Sequence, residues 1–314
     1  MLGTEHTEKI RPMEEHEGLA ERFEADRGRL RAVAYRMLGS LSEADDAVQE
    51  AWLRLSRADT SEVESLSGWL TTVVARVCLD MLRSRKSRRE EPLDVYVPDP
   101  VVSWEDGGHP EQEALLADSV GLALLVVLET LSPAERLAFV LHDLFAVPFD
   151  EIAPIVGRTP AAARQLASRG RRRVQGASTA PDAGLRRQQE IVDAFITASR
   201  AGDFEALLAV LDPEVVLRLD RGGAATPPSR EIRGAQGVIG LGFRFSADGW
   251  VARPALVNGA PGLVITYQGK PFSVTSFTVR GGRIVEIDIL ADPQRIPRLG
   301  LQGPEQAPNP TAEP

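Results

Sequence analysis

The sequence predicts a multidomain chain, two all-α domains followed by an α+β domain, and three observations predict it. From Glu17 to Gly176 apolar residues recur at helical spacing, broken by capping signals and one proline-rich stretch. Inside that half, a short helix, a glycine turn and a capped basic helix follow one another in the helix-turn-helix pattern. Beyond Asp182 the period changes. Two helices give way to alternating apolar runs, the last two joined by Gly281-Gly282.

Composition bounds the reading. At 314 residues the chain exceeds one ordinary domain, and 43% hydrophobic residues suffice for packed cores. No apolar run approaches the roughly 18 residues of a membrane span, and Met1 to Glu17 has no signal-peptide core. Cys78 is the single cysteine, which excludes an intrachain disulfide and fits a reducing cytoplasm; its helical setting makes it a small core residue. No Cys/His cluster suggests a metal, and no cofactor is expected. The net charge of −9 argues against nucleic acid until its distribution is read. Ser42 to Glu64 carries seven acids against two bases, whereas Arg76 to Arg89 carries six bases against one acid. Arg158 to Arg173 holds six arginines and no acid. Such alternation suits a protein that meets both a basic partner surface and a phosphate backbone.

In order, Glu17–Leu38 is the first expected helix, its apolar face made by Leu19, Phe23, Leu30, Val33, Ala34 and Met37, and Gly39 ends it. In the second, Ala44, Val48, Ala51, Trp52 and Leu55 form one stripe, opposed by Asp45, Asp46, Gln49, Glu50 and Arg54; Ser42 is its expected cap. A polar connection over Asp59–Ser65 leads into a long helix from Trp69, a core residue, to the basic run Arg83–Arg89. Glu91–Pro110 is a linker in which Pro92, Pro98, Pro100, Pro110 and Gly107-Gly108 exclude regular structure. Glu111–Glu129 is helical. Ser132-Pro133-Ala134-Glu135 is a capping box with proline at the first helical position, opening a helix to about Phe145. Asp150–Val156, Gly157 and the Thr159-Pro160 cap then build the helix-turn-helix, whose second helix reaches Val174. Ala163, Leu166, Ala167, Gly170 and Val174 face inward; Arg164, Gln165, Ser168 and Arg171 or Arg172 face outward. Helices at Asp182–Arg200 and Asp203–Leu211 precede five strands of an antiparallel sheet: Val215–Leu219, Trp250–Val257, Leu263–Gln268, Phe272–Arg280 and Arg283–Leu290. Leu301–Pro314 is Pro-rich and expected to be disordered.

The run Asp45-Asp46-Ala47-Val48-Gln49-Glu50-Ala51-Trp52-Leu53-Arg54-Leu55 resembles the core-polymerase-binding helix of bacterial sigma factors. The resemblance implies that Asp45, Asp46, Gln49, Glu50 and Arg54 dock on a clamp coiled coil of the RNA polymerase β′ subunit. The helix ending in Arg76, Arg83, Arg85, Lys86 and Arg88 resembles the promoter −10 region of sigma domain 2. There a flipped base enters a pocket while basic residues hold the backbone. The helix-turn-helix resembles sigma domain 4, the reader of the −35 element, which implies DNA contacts from Thr159, Ala161, Arg164, Gln165, Ser168, Arg171 and Arg172. Ala161-Ala162-Ala163 departs from the commoner start of that helix and leaves open which bases are read.

Asp182 to about Leu299 resembles SnoaL-like members of the NTF2-like fold, an α+β cone with an apolar pocket. Three short stretches resemble motifs of extracytoplasmic-function sigma factors of the sigma-J type, which carry such a domain. They are Tyr96-Val97-Pro98-Asp99-Pro100, Asp220-Arg221-Gly222-Gly223 and Asp292-Pro293-Gln294-Arg295-Ile296. The resemblance implies a promoter-recognition subunit regulated in cis, with core polymerase and promoter DNA as partners. It needs no membrane and no separate anti-sigma factor, and it leaves room for an unidentified small molecule in the pocket. Its domains are 1–16 disordered, 17–90 sigma domain 2, 91–110 linker, 111–176 sigma domain 4, 182–299 SnoaL-like and 300–314 disordered. Tyr96, Pro98, Asp99, Pro100, Asp220, Gly222, Gly223, Asp292, Pro293 and Arg295 are the expected interdomain contacts.

Two rivals remain. A ligand-sensing repressor or activator needs the helix-turn-helix but not the Asp45–Leu55 face. A SnoaL-like isomerase or cyclase fused to a DNA-binding part needs acids or bases in its pocket. The candidates are Asp220, Tyr267, Glu286 and Asp288, since all four histidines (His6, His16, His109, His142) lie upstream. Glu286 and Asp288 alternate with Ile284 and Leu290 along one strand face, where two carboxylates are expected to be merely solvated.

Overall fold

The computed structural model describes residues 11–58, 63, 65–87, 95–104, 121–176, 184–223, 227–241 and 249–301, and side chains from residue 18 apart from 86 and 87. They divide into two compact units. Of the expected disorder of 1–16, the part before Arg11 lies outside the described residues, as do most of the Asp59–Ser65 connection, residues 111–120 of the Glu111–Glu129 helix and the tail beyond Leu301.

The first unit joins the N-terminal helices to the helix-turn-helix segment. Helix α1 (Arg11–Leu38) starts ahead of the expected Glu17 and stops at Gly39, whose φ of 67° is left-handed. Helix α2 (Leu41–Leu55) is preceded by Ser40 at the N-cap, so the expected cap, Ser42, falls inside the first turn. Ser40 caps through backbone geometry alone, without a side-chain bond. Helix α3 (Leu66–Ser87) buries Leu70, Val73, Val74, Val77, Cys78 and Leu82. Burial pushes the Cys78 thiol far up, consistent with a packing role. Trp69, expected in the core, is only half-buried.

Helix α4 (Leu122–Glu129) lies at the division between the units. Helix α5 (Pro133–Phe139) opens on the capping box: the Ser132 hydroxyl accepts from the Glu135 N–H, and the Glu135 carboxylate accepts from Ser132. Its expected continuation to Phe145 is instead a π-helical turn over Val140–Leu144. Helices α6 (Phe149–Val156) and α7 (Pro160–Gly176) form the helix-turn-helix, with Gly157 left-handed between them at φ 65°. Helix α3 packs on α5 and α6. Arg136, 3% exposed, ties these elements together by donating to the Met37 carbonyl at 2.9 Å and pairing with Glu129 at 2.7 Å. Beside it, the Arg36 guanidinium lies over the Phe145 ring.

The second unit is α+β. Helices α8 (Leu185–Ala201), α9 (Phe204–Val210) and α10 (Ala235–Ile239) accompany a seven-stranded sheet. Its strands are β1 (Val102–Ser103), β2 (Leu211–Asp220), β3 (Arg230–Arg233), β4 (Trp250–Val257), β5 (Ala260–Tyr267), β6 (Lys270–Arg280) and β7 (Arg283–Leu290). Their order is β1-β4-β5-β6-β7-β2-β3. The sheet is mixed rather than wholly antiparallel, because β2 runs parallel to β7. The long excursion through β3 to β6 carries the chain back in the same direction. The linker also departs from expectation, since Val102 and Ser103 pair with Val257 and Leu256 and extend the sheet by one edge strand.

One sheet face packs on the helices through Ile191, Phe195, Leu217, Leu263, Phe277 and Ile287, with Phe195 and Phe277 in edge contact at 5.4 Å. A bulge at Val285 shifts the alternation of β7. It sends Ile284 to this core face while Glu286 and Asp288 stand on the opposite one. The expected sharing of one face by Ile284, Glu286 and Asp288 is therefore corrected.

Candidate functional site

On α2, Ala44, Ala47, Val48, Ala51 and Leu55 are buried, and the opposite side is outermost. Trp52 is half-buried, its ring 5.0 Å from that of Phe23. The five polar residues singled out here are not equivalent. Asp45 accepts two bonds from Arg31, at 2.6 and 3.3 Å, and Glu50 is paired with Arg54 at 2.9 Å. Asp46 and Gln49 are exposed and hold no partner among the described residues. Leu53 extends their stripe by one more turn at 39% exposure. Sequence reasoning passed over Leu53, although its spacing from Asp46 and Gln49 was the available signal.

Along α3, Arg76 is exposed and Arg83 lies 3.7 Å from Asp80. Arg85 is committed to the fold, being ion-paired with Glu43 and donating to the Leu38 carbonyl. The Lys86 side chain and Arg88 lie outside the described residues.

Helix α7 buries its small residues Ala163, Ala167 and Gly170, and Gly170 lies against Glu135 and Phe139 of α5. A Cβ on Gly170 would stand 3.0 Å from that of Phe139, so the two helices approach as closely as glycine permits. The Thr159 hydroxyl accepts from the Ala162 N–H and caps the start. The arginines then divide. Arg164 lies over the Phe149 ring at 5.3 Å, Arg169 pairs with Glu135 at 2.8 Å, and Arg171 grips Asp143 through both Nε and Nη2. Arg173 donates to the Thr130 carbonyl. Burial raises the Glu135 pKa, but bonds from Ser132 and Arg169 outweigh it and leave the carboxyl below its ordinary value. Ala161, Gln165, Ser168 and Arg172 line the remaining exposed stripe.

In the second unit the three motif stretches meet. Asp220 ends β2, with one carboxylate oxygen accepting from the Val97 and Arg295 donors at 2.9 Å each. Its other oxygen accepts from the Gly222 N–H. Arg295 also donates to Asp99 and to the Val97 carbonyl, and its guanidinium covers the Tyr96 ring at 4.7 Å. Burial alone would lower the Arg295 pKa, yet Tyr96, Asp99 and Asp220 together raise it. Gly222 is at φ 80° with Asp292 packed against it, where a Cβ would come within 2.7 Å of a carboxylate oxygen. Pro98 and Pro100 are buried; Pro293 and Gly223 are exposed.

The carboxylates weighed as catalytic are placed differently from expectation. Glu286 and Asp288 are not solvated: Asp288 is 1% exposed, and both pair with Arg218, which also approaches Glu231. Burial raises both carboxyl pKa values despite Arg218. Tyr267 lies half-exposed against Trp250 at 4.7 Å. Asp220 is taken up by the linker.

Comparison with known proteins matches this chain to two family models. The Sigma-70 region 2 model covers residues 22–88, which span α2 and α3, and the Sigma-70 region 4 model covers residues 121–174, which contain the helix-turn-helix. The ECF RNA polymerase sigma factor SigJ of Mycobacterium tuberculosis is 39% identical over 289 residues, covering 87% of this chain and 91% of SigJ. A second protein of that organism, named "Probable ECF RNA polymerase sigma factor SigI", is 34% identical over 293 residues, covering 91% of this chain and 98% of its own. The crystal structure of M. tuberculosis SigJ superposes with a TM-score of 0.71 at 37% identity, covering 88% of this chain and 97% of SigJ. With both sigma regions matched and the likeness to SigJ running on through the α+β unit, this chain belongs to the extracytoplasmic-function RNA polymerase sigma factors, the non-enzymatic subunits that direct polymerase to promoters.

Proposed function

We propose that this sigma factor is held in check by its own C-terminal unit, which grips the Tyr96–Pro100 segment between the two sigma regions. The observation that carries the reading is the buried Arg295 cluster, in which one guanidinium serves Asp99 and the Val97 carbonyl of the linker and Asp220 of the sheet. A cation shared between two buried carboxylates holds firmly while intact and fails as a unit when one partner is lost, as a regulatory clasp must. On this reading the C-terminal unit takes the place of a separate anti-sigma protein.

The assignment of surfaces follows from which side chains are exposed rather than tied to other elements of the fold. Asp46, Gln49 and Leu53, with the Glu50–Arg54 pair beside them, dock on the β′ clamp coiled coil. Arg76 and Arg83 contact the −10 element, and the exposed stripe of α7 enters the major groove at the −35 element. The protein acts in the cytoplasm with polymerase and DNA, and among the described residues no helix is long and apolar enough to cross a membrane.

Transcription in vitro with core polymerase tests the clasp. Full-length Arg295→Met should give higher output from a cognate promoter than the wild type, because release of the linker favours the extended arrangement on DNA. Equal output would remove the regulatory role. The double variant Asp46→Lys/Glu50→Lys should remain folded and fail to copurify with core polymerase; retained assembly would remove the docking assignment.

A further inference from the structure

We propose that Gln165 sets the base sequence this sigma factor prefers, its carboxamide hydrogen-bonding the major-groove edge of one adenine in the upstream promoter element. The inference rests on the reading of α7 as the promoter-reading helix. A base reader on such a helix needs a long polar side chain, exposed, within the first two turns, and not already engaged inside the protein. Arg164 spreads its guanidinium over the Phe149 ring. Arg169 and Arg171 lie further along and are ion-paired with Glu135 and Asp143. The Thr159 hydroxyl is occupied by the Ala162 N–H, and Ala161 and Ala162 offer no polar side-chain atom. Gln165 is exposed and has no partner among the described residues.

Chemistry then selects the base. A carboxamide presents one acceptor and two donors, which match the N6 donor and N7 acceptor of adenine. Guanine presents two acceptors on that edge and would leave the glutamine carbonyl unpaired. Helix geometry adds a second element. Ala161 lies one turn ahead of Gln165 on the same exposed stripe, and its methyl group is small enough to let the helix start approach the base edges. It is also suited to apolar contact with a thymine methyl. Arg172 lies two turns beyond Gln165, where a cation meets phosphate rather than bases.

The test uses holoenzyme reconstituted from the full chain and core polymerase, transcribing a promoter library with a randomised upstream element. Wild-type transcripts should be enriched for A·T at one base pair. Gln165→Ala should lose that preference by about five- to a hundredfold while preferences at other positions persist. Gln165→Arg should move the preference at the same base pair to G·C, because a guanidinium donates to both guanine acceptors. The position is exposed, so these variants should melt with the wild type. An adenine preference unchanged by Gln165→Ala, or no adenine preference in the wild type, would overturn the assignment. Wild-type transcription indifferent to the whole upstream element would instead overturn the promoter-reading role of α7.

Discussion

Arg295→Met removes the guanidinium and keeps most of the aliphatic stem. The wild-type side chain is 17% exposed and supplies Asp99 at 2.8 Å, Asp220 at 2.9 Å and the Val97 carbonyl at 2.7 Å. Asp99 and Asp220 are themselves 8% and 5% exposed at the side chain. Taking the cation away leaves two buried carboxylates without their shared counter-charge, and breaking a buried pair in this way costs roughly 3–5 kcal/mol. Asp220 retains the Val97, Gly222 and Ser229 donors. The cheaper escape is for Tyr96–Pro100 to lift and carry Asp99 into water. The variant should therefore lose up to that 3–5 kcal/mol in denaturant unfolding of the C-terminal unit. Amide exchange should accelerate at Val97 and at Val101, which donates to Asn258 at 3.1 Å. Arg295→Lys should fall between, since an ammonium keeps the charge but lacks the planar fork that spans three acceptors. A methionine variant with wild-type stability and unchanged protection at Val97 would refute the clasp.

Four further outcomes are expected. Asp288→Asn tests the raised carboxyl pKa on the sheet: wild-type Asp288 binds its proton more readily folded than unfolded, so its contribution is greatest at low pH and is lost as pH rises through the raised folded value. Melting temperatures should show the wild type gaining on the variant as pH falls toward the ordinary carboxylate range; a constant difference would contradict the shift. Gly170→Ala should cost about 1–3 kcal/mol in unfolding of the first unit, because its methyl meets Phe139. Ser132→Ala should cost about 1 kcal/mol through loss of the capping box, and a loss below a few tenths would rule that cap out. Arg85→Ala should lower stability by breaking its ties to Glu43 and the Leu38 carbonyl, and adding Glu43→Gln should cost little more.

Much of this was legible before any coordinates, for identifiable reasons. Trp250–Val257 and Arg283–Leu290 have the predicted limits because turn residues, Gly249 and Asn258-Gly259 for the first and Gly281-Gly282 for the second, bound them locally. The Ser132 capping box and the Gly157 turn were equally local. What escaped depends on partners far along the chain. Strand β3, Arg-Glu-Ile-Arg, has one apolar residue and exists because β2 lies beside it. The bulge at Val285 reverses the parity of β7, and no strand-internal pattern announces it. On the candidate surfaces, the apolar stripe of α2 and the inward residues of α7 could be read from periodicity. The splitting of α7's arginines into tied and untied could not, since Glu135, Asp143 and Phe149 reach them only through the fold. Arg85 is the same case, a cation that sequence assigned to DNA and the structure commits to Glu43.

The pairing of Val102 and Ser103 with Val257 and Leu256 bears on how this protein can be dissected. The sheet draws its outermost strand from a segment made some 150 residues before its neighbour, with the helix-turn-helix encoded in between. Closing so long a loop is slow, and two residues of ladder repay little of its entropy unless the adjoining contacts form with them. A fragment cut at the apparent boundary near Asp182 would retain β4 and lack its cover, leaving the strand margin at Leu256 and Val257 without its partner. Unpaired sheet margins of that kind recruit other chains, so such a fragment should self-associate and precipitate as its concentration rises. Supplying residues 95–104 as a free peptide should restore its solubility.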